Sequence, residues 1–499
     1  MPTLADPLDH ARRTSAARTA VICGEERFDY GHLYERCARL VSGLRSLGAQ
    51  PGDRIAILSF NCHRMIEAFL GVPAGGMVIV PLNTRLAPAE LHAILADADA
   101  RVLLCDRDPG ELAALVAHVV RLPEEYEALL AASASTPAEL GGDGIGENDL
   151  AAMFYTGGTT GRSKGVMLTH RNVIANTYHK TLAVRIETDD VFLAAPALFH
   201  TAGTAALHGL CWRGATTVVQ PTFAAAGALD LIERHRVTFA VPVPTMLAAL
   251  VDEQRRQPRH VDSLRLLGHA GSAITSAVLR RVHETFPHVQ LAHFYGATET
   301  APIVTHLMHE ERELDTALAG SCGIPVMGVR VRVVDPVGAE CATDDVGEVV
   351  VQGPNVMAGY WRNPVATAEA LVDGWYHTGD LGRIDGGGNL FIVDRAKDMI
   401  VSGGENVYSA EVEDVLARHP AVAEVAVFGV PDERWGEAVH AVVTTRPGVD
   451  HHGLAAALRE HCRAAIAGYK VPKEIELWTE PLPKSGPGKV LKRQLRDRR

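Results

Sequence analysis

Residues 155–165 read YTGGTTGRSKG, a stretch in which glycines, hydroxyl side chains and a lysine crowd together. Glycines let backbone N–H groups turn inward around an anion, and hydroxyls donate further hydrogen bonds. Thr156, Gly157, Gly158, Thr159, Thr160 and Gly161 supply both kinds of donor, and Lys164 adds charge. The stretch follows an apolar strand candidate at 150–154 and precedes a helical stretch from Asn172. A phosphate loop is the chemical expectation, in preference to a merely flexible Gly/Thr loop. It departs from the Walker pattern G-x-x-x-x-G-K-[ST], because Gly165 follows Lys164. A different phosphate-binding geometry is required.

The surrounding segments must build the scaffold. Residues 19–23 and 27–30 read as short strands about a Gly-Glu-Glu turn, and 33–47 carries apolar residues at helical spacing up to Gly48. Apolar runs at 54–58, 78–82 and 101–105, the first two separated by a helical segment, give a βαβ-like rhythm. Residues 131–146, rich in Ala, Ser and Gly, read as a surface connection. The strand pattern resumes at 192–195, 216–219 and 237–241. From 329 to 351 it turns into alternating β-rich sequence with Gly turns, a small antiparallel or barrel-like unit. After Gly386-Gly387-Gly388 the α/β pattern returns, and no short-period repeat is present. The expected fold class is α/β: a large N-terminal body with α/β sheets and a small β-barrel-like unit, then a small α+β C-terminal domain.

The 499 residues exceed one compact module, at roughly 100–200 residues per domain. A hydrophobic fraction of 47% and a charged fraction of 22% exclude a mostly disordered chain. The 60 acidic residues against 48 basic ones give a net charge of -12. That balance argues against nucleic acid as the main partner, since phosphate backbones recruit excess Lys and Arg. It leaves room for a local basic pocket around a small anion. The cysteines at 23, 37, 62, 105, 211, 322, 341 and 462 form neither C-x-x-C nor a zinc-spaced cluster, and read as free thiols of a reducing compartment. No signal peptide is indicated at the N-terminus. The most apolar stretch, 68–82, is broken by Pro73, Gly75, Gly76 and Pro81 and is shorter than the ~20 residues of a membrane span. A cytoplasmic protein without a membrane span is expected.

The 155–165 loop resembles the signature of the adenylate-forming superfamily: acyl- and aryl-CoA synthetases, nonribosomal adenylation domains and beetle luciferases. Further motifs follow in that family's order. Tyr295-Gly296-Ala297-Thr298-Glu299 is similar to its aromatic-Gly-x-Thr-Glu element. Gly359-Tyr360-Trp361 and Gly374-Trp375-Tyr376-His377-Thr378-Gly379-Asp380 are close matches. Asp394-Arg395-Ala396-Lys397-Asp398 leads to Ser402-Gly403-Gly404-Glu405-Asn406, and Pro483-Lys484-Ser485-Gly486-Pro487-Gly488-Lys489 resembles the terminal lysine motif. The resemblance spans essentially the whole chain. It departs at Gly157, where Ser is usual, at Ser163, where Pro is common, and at Gly271-Ser272-Ala273-Ile274, where the family has a Gly-Gly-Ala-Pro-like segment.

The resemblance implies a division of labour. Lys489 would serve the first chemical step, where a cation at the reacting oxygens lowers the barrier between two anions. Glu299 would stand beside Mg2+, a hard cation that takes few protein ligands. Thr298 would reach the α-phosphate, and Tyr295 with Gly296 would lie against adenine. Asp380 would accept both ribose hydroxyls through its two oxygens, with Arg395 reaching the same ribose. His200 would stand beside the carboxylate, and Thr201, His208, Gly271, Ser272, Ala273, Ala297 and Ile303 would line the acid pocket. Lys397 would be the hinge between an ATP- and acid-binding domain, 1–396, and a mobile domain, 397–499, that carries Lys489. Gly403 would line the pantetheine tunnel, where a side chain would obstruct, and Trp435 would lie near the CoA nucleotide. The basic residues after Lys489, namely Lys492, Arg493, Arg496, Arg498 and Arg499, read as solvated.

The activity so implied is a carboxylate–CoA ligase using ATP, Mg2+ and coenzyme A. It makes an acyl-adenylate and pyrophosphate, then an acyl-CoA thioester and AMP. The absence of Arg among the pocket candidates favours an aromatic or medium-chain aliphatic acid over a dicarboxylate. Two readings stay open beside it: an amide synthetase or stand-alone adenylation enzyme that uses an amine or carrier-protein thiol, and a nucleotide-binding relative without turnover. Lys489, Glu299 and Asp380 argue against the last. A luciferase-type oxidation would demand an unusual substrate. The expected partners are a small carboxylic acid, ATP and CoA, with the chain a monomer or homodimer.

Overall fold

The computed structural model describes all residues except 1, 134–137, 143, 157–162, 272–273, 275, 315, 403–404, 433, 485–489 and 499. The described strands form four sheets. In the nine-stranded sheet, Leu266–Ala270 lies between Gln290–Tyr295 and Phe239–Ala240, all parallel, and Thr305–His309 adds antiparallel to Gln290–Tyr295. In the seven-stranded sheet, Val78–Pro81 pairs in parallel with both Arg54–Leu58 and Leu150–Thr156, as the βαβ rhythm predicts. The strand expected over 237–241 shrinks to Phe239–Ala240. The unit expected at 329–351 is an antiparallel five-stranded sheet built from Arg330–Val334, Gly347–Gln352, Leu371–Val372, Trp375–Ile384 and Leu390–Arg395.

The helix Tyr30–Ser46 starts where the Asp29 side chain accepts from the His32 N–H, a cap that satisfies one orphan donor. The helix His63–Ala74 packs beside it and carries the fully buried Glu67. That carboxylate is answered by Arg36 at 2.8 Å, His63 at 2.7 Å and the Tyr126 hydroxyl at 2.7 Å, so its charge is not left alone in the core. One large apolar cluster joins the nine- and seven-stranded sheets, with Phe69, Phe154, Phe192, Phe239 and Phe294 among its members. The helix His170–Val184 is capped by Thr169, whose side chain accepts from the Asn172 N–H. It is buried along much of its length, polar residues included.

From Ile400 on, the chain has apolar cores of its own, including Ile400, Val412, Val427, Val439, Leu458 and Ile475. They lie on the five-stranded sheet of Ile400–Ser402, Glu405–Val407, Val422–Asp432, Gly436–Thr445 and Glu474–Trp478. All eight cysteines are free, in keeping with their scattered spacing. No helix among the described residues is long and apolar enough to cross a membrane.

Candidate active site

The ends of the phosphate stretch are held by a hairpin. Leu150–Thr156 pairs antiparallel with Lys164–Thr169, and Thr156 stands opposite Lys164. The expected helix from Asn172 thus begins at His170, after an intervening strand whose Val166, Leu168 and Thr169 are buried. The described residue pair that flanks the stretch, Thr156 and Lys164, thus belongs to two paired strands of one sheet. Gly157, Gly158, Thr159, Thr160 and Gly161 lie outside the described residues.

Lys164 leads to the first polar constellation. Its Nζ stands 4.9 Å from the centre of the Tyr360 ring, and the Tyr360 hydroxyl donates to Glu299 Oε1 at 3.0 Å. Tyr360 arrives on Gly359–Tyr360, which pairs with the strand bearing Lys164. The Glu299 carbonyl accepts from the Met357 N–H at 2.8 Å, tying the Thr298–Thr300 turn to the same edge. Burial raises the Glu299 carboxyl above its ordinary value, while the Tyr360 hydroxyl, Arg395 and Lys164 pull it back. Gly296, at φ +156°, is demanded by packing, since a Cβ there would stand 1.7 Å from the Pro302 carbonyl oxygen. Thr298 and Ala297 are half-buried in the same segment.

The second constellation centres on Asp380, only 6% exposed. The Tyr295 hydroxyl donates to its Oδ2 at 2.8 Å, and Arg395 Nε stands 2.7 Å from its Oδ1. Strand register explains the second contact, because Asp380 lies opposite Arg395 in the antiparallel pair Trp375–Ile384 and Leu390–Arg395. Burial opposes the Arg395 charge, but Asp380, Tyr295, Tyr376 and Glu299 together outweigh it and raise the guanidinium above its ordinary value. Tyr376 joins the two constellations: its hydroxyl is raised by burial and by the charges of Glu299 and Asp380 and the neighbouring Tyr360 and Tyr295. Tyr360 and Tyr376 were quoted within motifs and assigned no role. Their aromatic types carried no signal of a hydrogen-bonding duty, and the contacts come from sheet pairing.

The acid-pocket candidates gather around short helices. His200 precedes Thr201–Thr204, and His208 lies in Leu207–Arg213. Burial brings both imidazoles down to about 4, and the Nε2 of each is buried without a hydrogen-bond partner. Thr201, His208, Asn176 and Ala301 border one cavity of about 30 Å³ with Phe69 and Phe154. The Ile303 carbonyl accepts from Asn176 Nδ2 at 3.1 Å and from Asn355 Nδ2 at 2.9 Å. Gly271 follows Leu266–Ala270 at φ +86°, while Ser272 and Ala273 lie outside the described residues. Sequence reasoning missed Lys180. It is 3% exposed, stands 4.0 Å from the Phe294 ring centre, and has its ammonium lowered by burial to about 7.

The remaining candidates sit toward the C-terminus. Lys397 lies in the turn between Leu390–Arg395 and Ile400–Ser402, where the Asp398 N–H donates to the Arg395 carbonyl at 2.9 Å. Trp435 is 36% exposed near the turn joining Val422–Asp432 and Gly436–Thr445, with Arg434 and Lys473 over its ring. Gly403 and Lys489 lie outside the described residues. The basic residues beyond Lys489 are not simply solvated. Lys492 pairs with Glu413 at 2.8 Å and Arg496 with Asp398 at 3.3 Å, while Arg498 stands over Trp478. The helix Lys492–Arg496 packs on the Val422–Asp432 strand and so brings Lys492 and Arg496 to their carboxylate partners, while Arg493 and Arg498 stay exposed.

The donor set suits Mg2+. Among the described residues no cluster of three or more His, Cys, Asp or Glu could hold a metal. A single carboxylate, Glu299, with one described hydrogen bond on Oε1, matches an ion that keeps its waters and takes phosphate oxygens.

Comparison with known proteins agrees with this geometry. The AMP-binding enzyme family matches residues 8–361, and the AMP-binding enzyme C-terminal domain matches 411–489. A feruloyl-CoA synthase of Amycolatopsis sp is 40% identical over 99% of this chain and 98% of its own length. The o-succinylbenzoate CoA synthetase of Bacillus subtilis, solved with its acyl-adenylate intermediate, superposes with a TM-score of 0.89 at 31% identity, covering 100% of this chain and 99% of that one. The same synthetase solved with ATP and magnesium ion gives a TM-score of 0.87 at 31% identity, covering 98% of each chain. With both its parts matched along nearly the whole length, the chain belongs to the AMP-binding enzyme family.

Proposed function

We propose that this protein activates an aromatic or medium-chain aliphatic acid, and that the residues assembled above divide the work as follows. The activity is that of an AMP-forming acid–thiol ligase: ATP-dependent ligation of a carboxylic acid to CoA through an acyl-adenylate. Asp380 accepts the ribose hydroxyls on lone pairs that Tyr295 and Arg395 leave free, and those two partners hold its carboxylate in place. Glu299, held by the Tyr360 hydroxyl, takes Mg2+ beside the phosphates. When bound, the ion supplies charge neutralisation to the phosphate oxygens. Lys164, with the hydroxyls and N–H groups of the 156–161 stretch, cradles the β- and γ-phosphates.

A carboxylate oxygen attacks the α-phosphorus, the bond to the bridging oxygen breaks, and pyrophosphate leaves. Lys489 steadies the negative charge at that centre. His200, kept neutral by burial, lies beside the reacting carboxylate and adds no charge that would trap it. In the second step the CoA sulfur, its proton lost to solvent, attacks the acyl carbon and AMP leaves. Lys397 is the hinge about which residues 397–499 turn between the steps, bringing Gly403 and Trp435 to the CoA. The mixed anhydride makes AMP a good leaving group, which a free carboxylate lacks.

The observation that carries the site assignment is the convergence of two polar constellations, Lys164–Tyr360–Glu299 and Tyr295–Asp380–Arg395, around Tyr376. Hydroxamate-trapped adenylation across aromatic, medium-chain and long-chain acids tests the first step. The second step is tested with CoA, a primary amine and a carrier-protein thiol as rival acceptors. A thioester with CoA and no amide is expected, and amide formation in preference to thioester would overturn the acceptor.

A further inference from the structure

We infer that the cavity bordered by Thr201 and His208 receives the apolar end of the acid remote from its carboxylate, and that Leu4 closes this cavity and sets the length of acid accepted. This deepens the acid-activating function proposed above and rests on it. Leu4 is 1% exposed and stands among the lining residues, although it is remote in sequence from every other one of them.

The N-terminal arm that carries Leu4 is pinned in place. The Leu4 N–H donates to His170 Nδ1 at 3.0 Å in a buried bond, and the Thr3 N–H donates to Asp6 Oδ2 at 2.6 Å. His170 opens the helix His170–Val184, which gives Val173, Asn176 and Thr177 to the cavity wall. The helix Asp6–Ser15 packs on Leu207–Arg213, which gives His208. The arm is thus tied to both helices that border the cavity. The Leu4 side chain also packs with Ala151 and Ile174, which holds it in position. On the catalytic side, Thr201 directly follows His200, and Ala301 stands two residues beyond Glu299. One cavity therefore touches both the neighbours of the reacting groups and the start of the chain.

The lining selects the chemistry of the group. Phe69, Pro73, Ile79, Phe154 and Leu168 join Leu4 in it, and no Asp, Glu, Lys or Arg is found among the described lining residues. Thr177 and Thr204 donate their hydroxyls to the carbonyls of Val173 and Thr201, at 2.8 and 3.3 Å, and so bring no free donor. A charged end would lose its hydration here with no opposite charge to meet it. A methyl end gains by leaving water. The volume of about 30 Å³ admits about two water-sized groups, enough for the last carbons of a chain and too little for a ring. Asn176 Oδ1 and His208 Nε2 are buried without partners, so a hydroxyl end is the rival occupant and enters the test.

Pyrophosphate release is measured in the full-length wild type, Leu4→Ala, Leu4→Phe and Leu8→Ala. The acids are straight chains from butanoate to tetradecanoate, 4-alkylbenzoates from methyl to hexyl, and the ω-hydroxy counterpart of the best of them. Leu4→Ala opens space behind the closure, so the preferred acid should lengthen by about two carbons. That longer acid should be favoured over the wild-type optimum by about tenfold or more in kcat/KM. Leu4→Phe fills the same space and should shorten the optimum by about one carbon. Leu8 is fully buried in the helix Asp6–Ser15 but does not line the cavity, and Leu8→Ala should leave the optimum unchanged. Each optimum is a ratio among acids, which the amount of folded enzyme does not alter. An unchanged optimum in either Leu4 variant, or an equal shift in Leu8→Ala, overturns the inference and leaves acid activation intact. So does a wild type that prefers the ω-hydroxy acid, or one that adenylates other acids but neither series. A wild type that adenylates no acid at all overturns acid activation and this inference with it.

Discussion

Replacing Gly296 with Ala tests whether the segment bearing Tyr295, Thr298 and Glu299 is as tightly seated as the geometry requires. The new Cβ would stand 1.7 Å from the Pro302 carbonyl oxygen, where contacts below 3.0 Å are essentially never tolerated. The obstacle is backbone, so no rotamer change relieves it. The 296–303 segment must move by more than an ångström, or the φ of +156° must be abandoned. Backbone strain of this kind costs about 1–3 kcal/mol. The functional cost is larger, because a misplacement of about 1 Å in a positioning segment lowers rate by about 100-fold. Gly338→Ala is the control: its φ is +86°, but nothing lies within 4 Å of its Cβ position. It carries strain alone, in a turn remote from the site. ATP–pyrophosphate exchange should fall at least about 100-fold in Gly296→Ala and stay within about threefold of wild type in Gly338→Ala. Near wild-type exchange by Gly296→Ala would refute the packing argument. An equal loss in both variants would show that the effect was general strain.

Tyr360→Phe removes the hydroxyl that favours the ionised form of Glu299, so the carboxyl rises further and protonation sets in at higher pH. The acid limb of kcat/KM for ATP should move to higher pH, measured in buffers of constant Mg2+. Lys492→Met strips Glu413 of its partner at 2.8 Å. Burial already raises that carboxyl in the folded chain, and loss of the lysine raises it more. The folded state then keeps a proton the unfolded chain releases, so the variant should lose stability as pH rises from about 4.5 through the folded value. With 24% of the Glu413 side chain exposed, the penalty at pH 8 should be about 2 kcal/mol, below that of a fully buried pair, and smaller at pH 5 by urea unfolding. Lys489→Ala should lower acyl-adenylate formation by about 100- to 1000-fold while a synthetic acyl-adenylate is still converted to thioester.

Much of this protein is legible in its residues taken locally. The phosphate stretch declares itself within a few residues, because glycine placement and side-chain type set what a short segment can bind, whereas the Tyr295–Glu299 element, Asp380 and Arg395 are picked out by the order of motifs the chain shares with its family. The βαβ rhythm of 54–105 is equally local, since an apolar run of four or five residues between turns has few other uses. Tertiary structure decided how these pieces address one another. That Arg395 faces Asp380 follows from antiparallel register, and that Tyr360 reaches Glu299 follows from Gly359–Tyr360 joining the edge of the Lys164–Thr169 strand. No periodicity encodes contacts of that kind, because they join residues whose separation along the chain is arbitrary. The strand Lys164–Thr169, to which the sequence reading gave no element, stands between the phosphate stretch and the expected helix, and it is fixed by pairing with Leu150–Thr156.

Charge was the least legible property. Lys492 and Arg496 sit in a basic run that looks solvated, yet a five-residue helix folds them onto Glu413 and Asp398. Lys180 lies in the helix His170–Val184, whose mixed apolar and polar sequence gives no sign that a lysine there is buried. Tertiary packing buries it to 3% exposure with its amine 4.0 Å from the Phe294 ring centre and lowers its ammonium to about 7. Residue type and spacing thus marked the phosphate stretch and the ordered motifs through which this chain resembles its family. Only the packing of distant strands and helices, which sets the dielectric and the neighbours of each group, decided which charges are buried and which are paired.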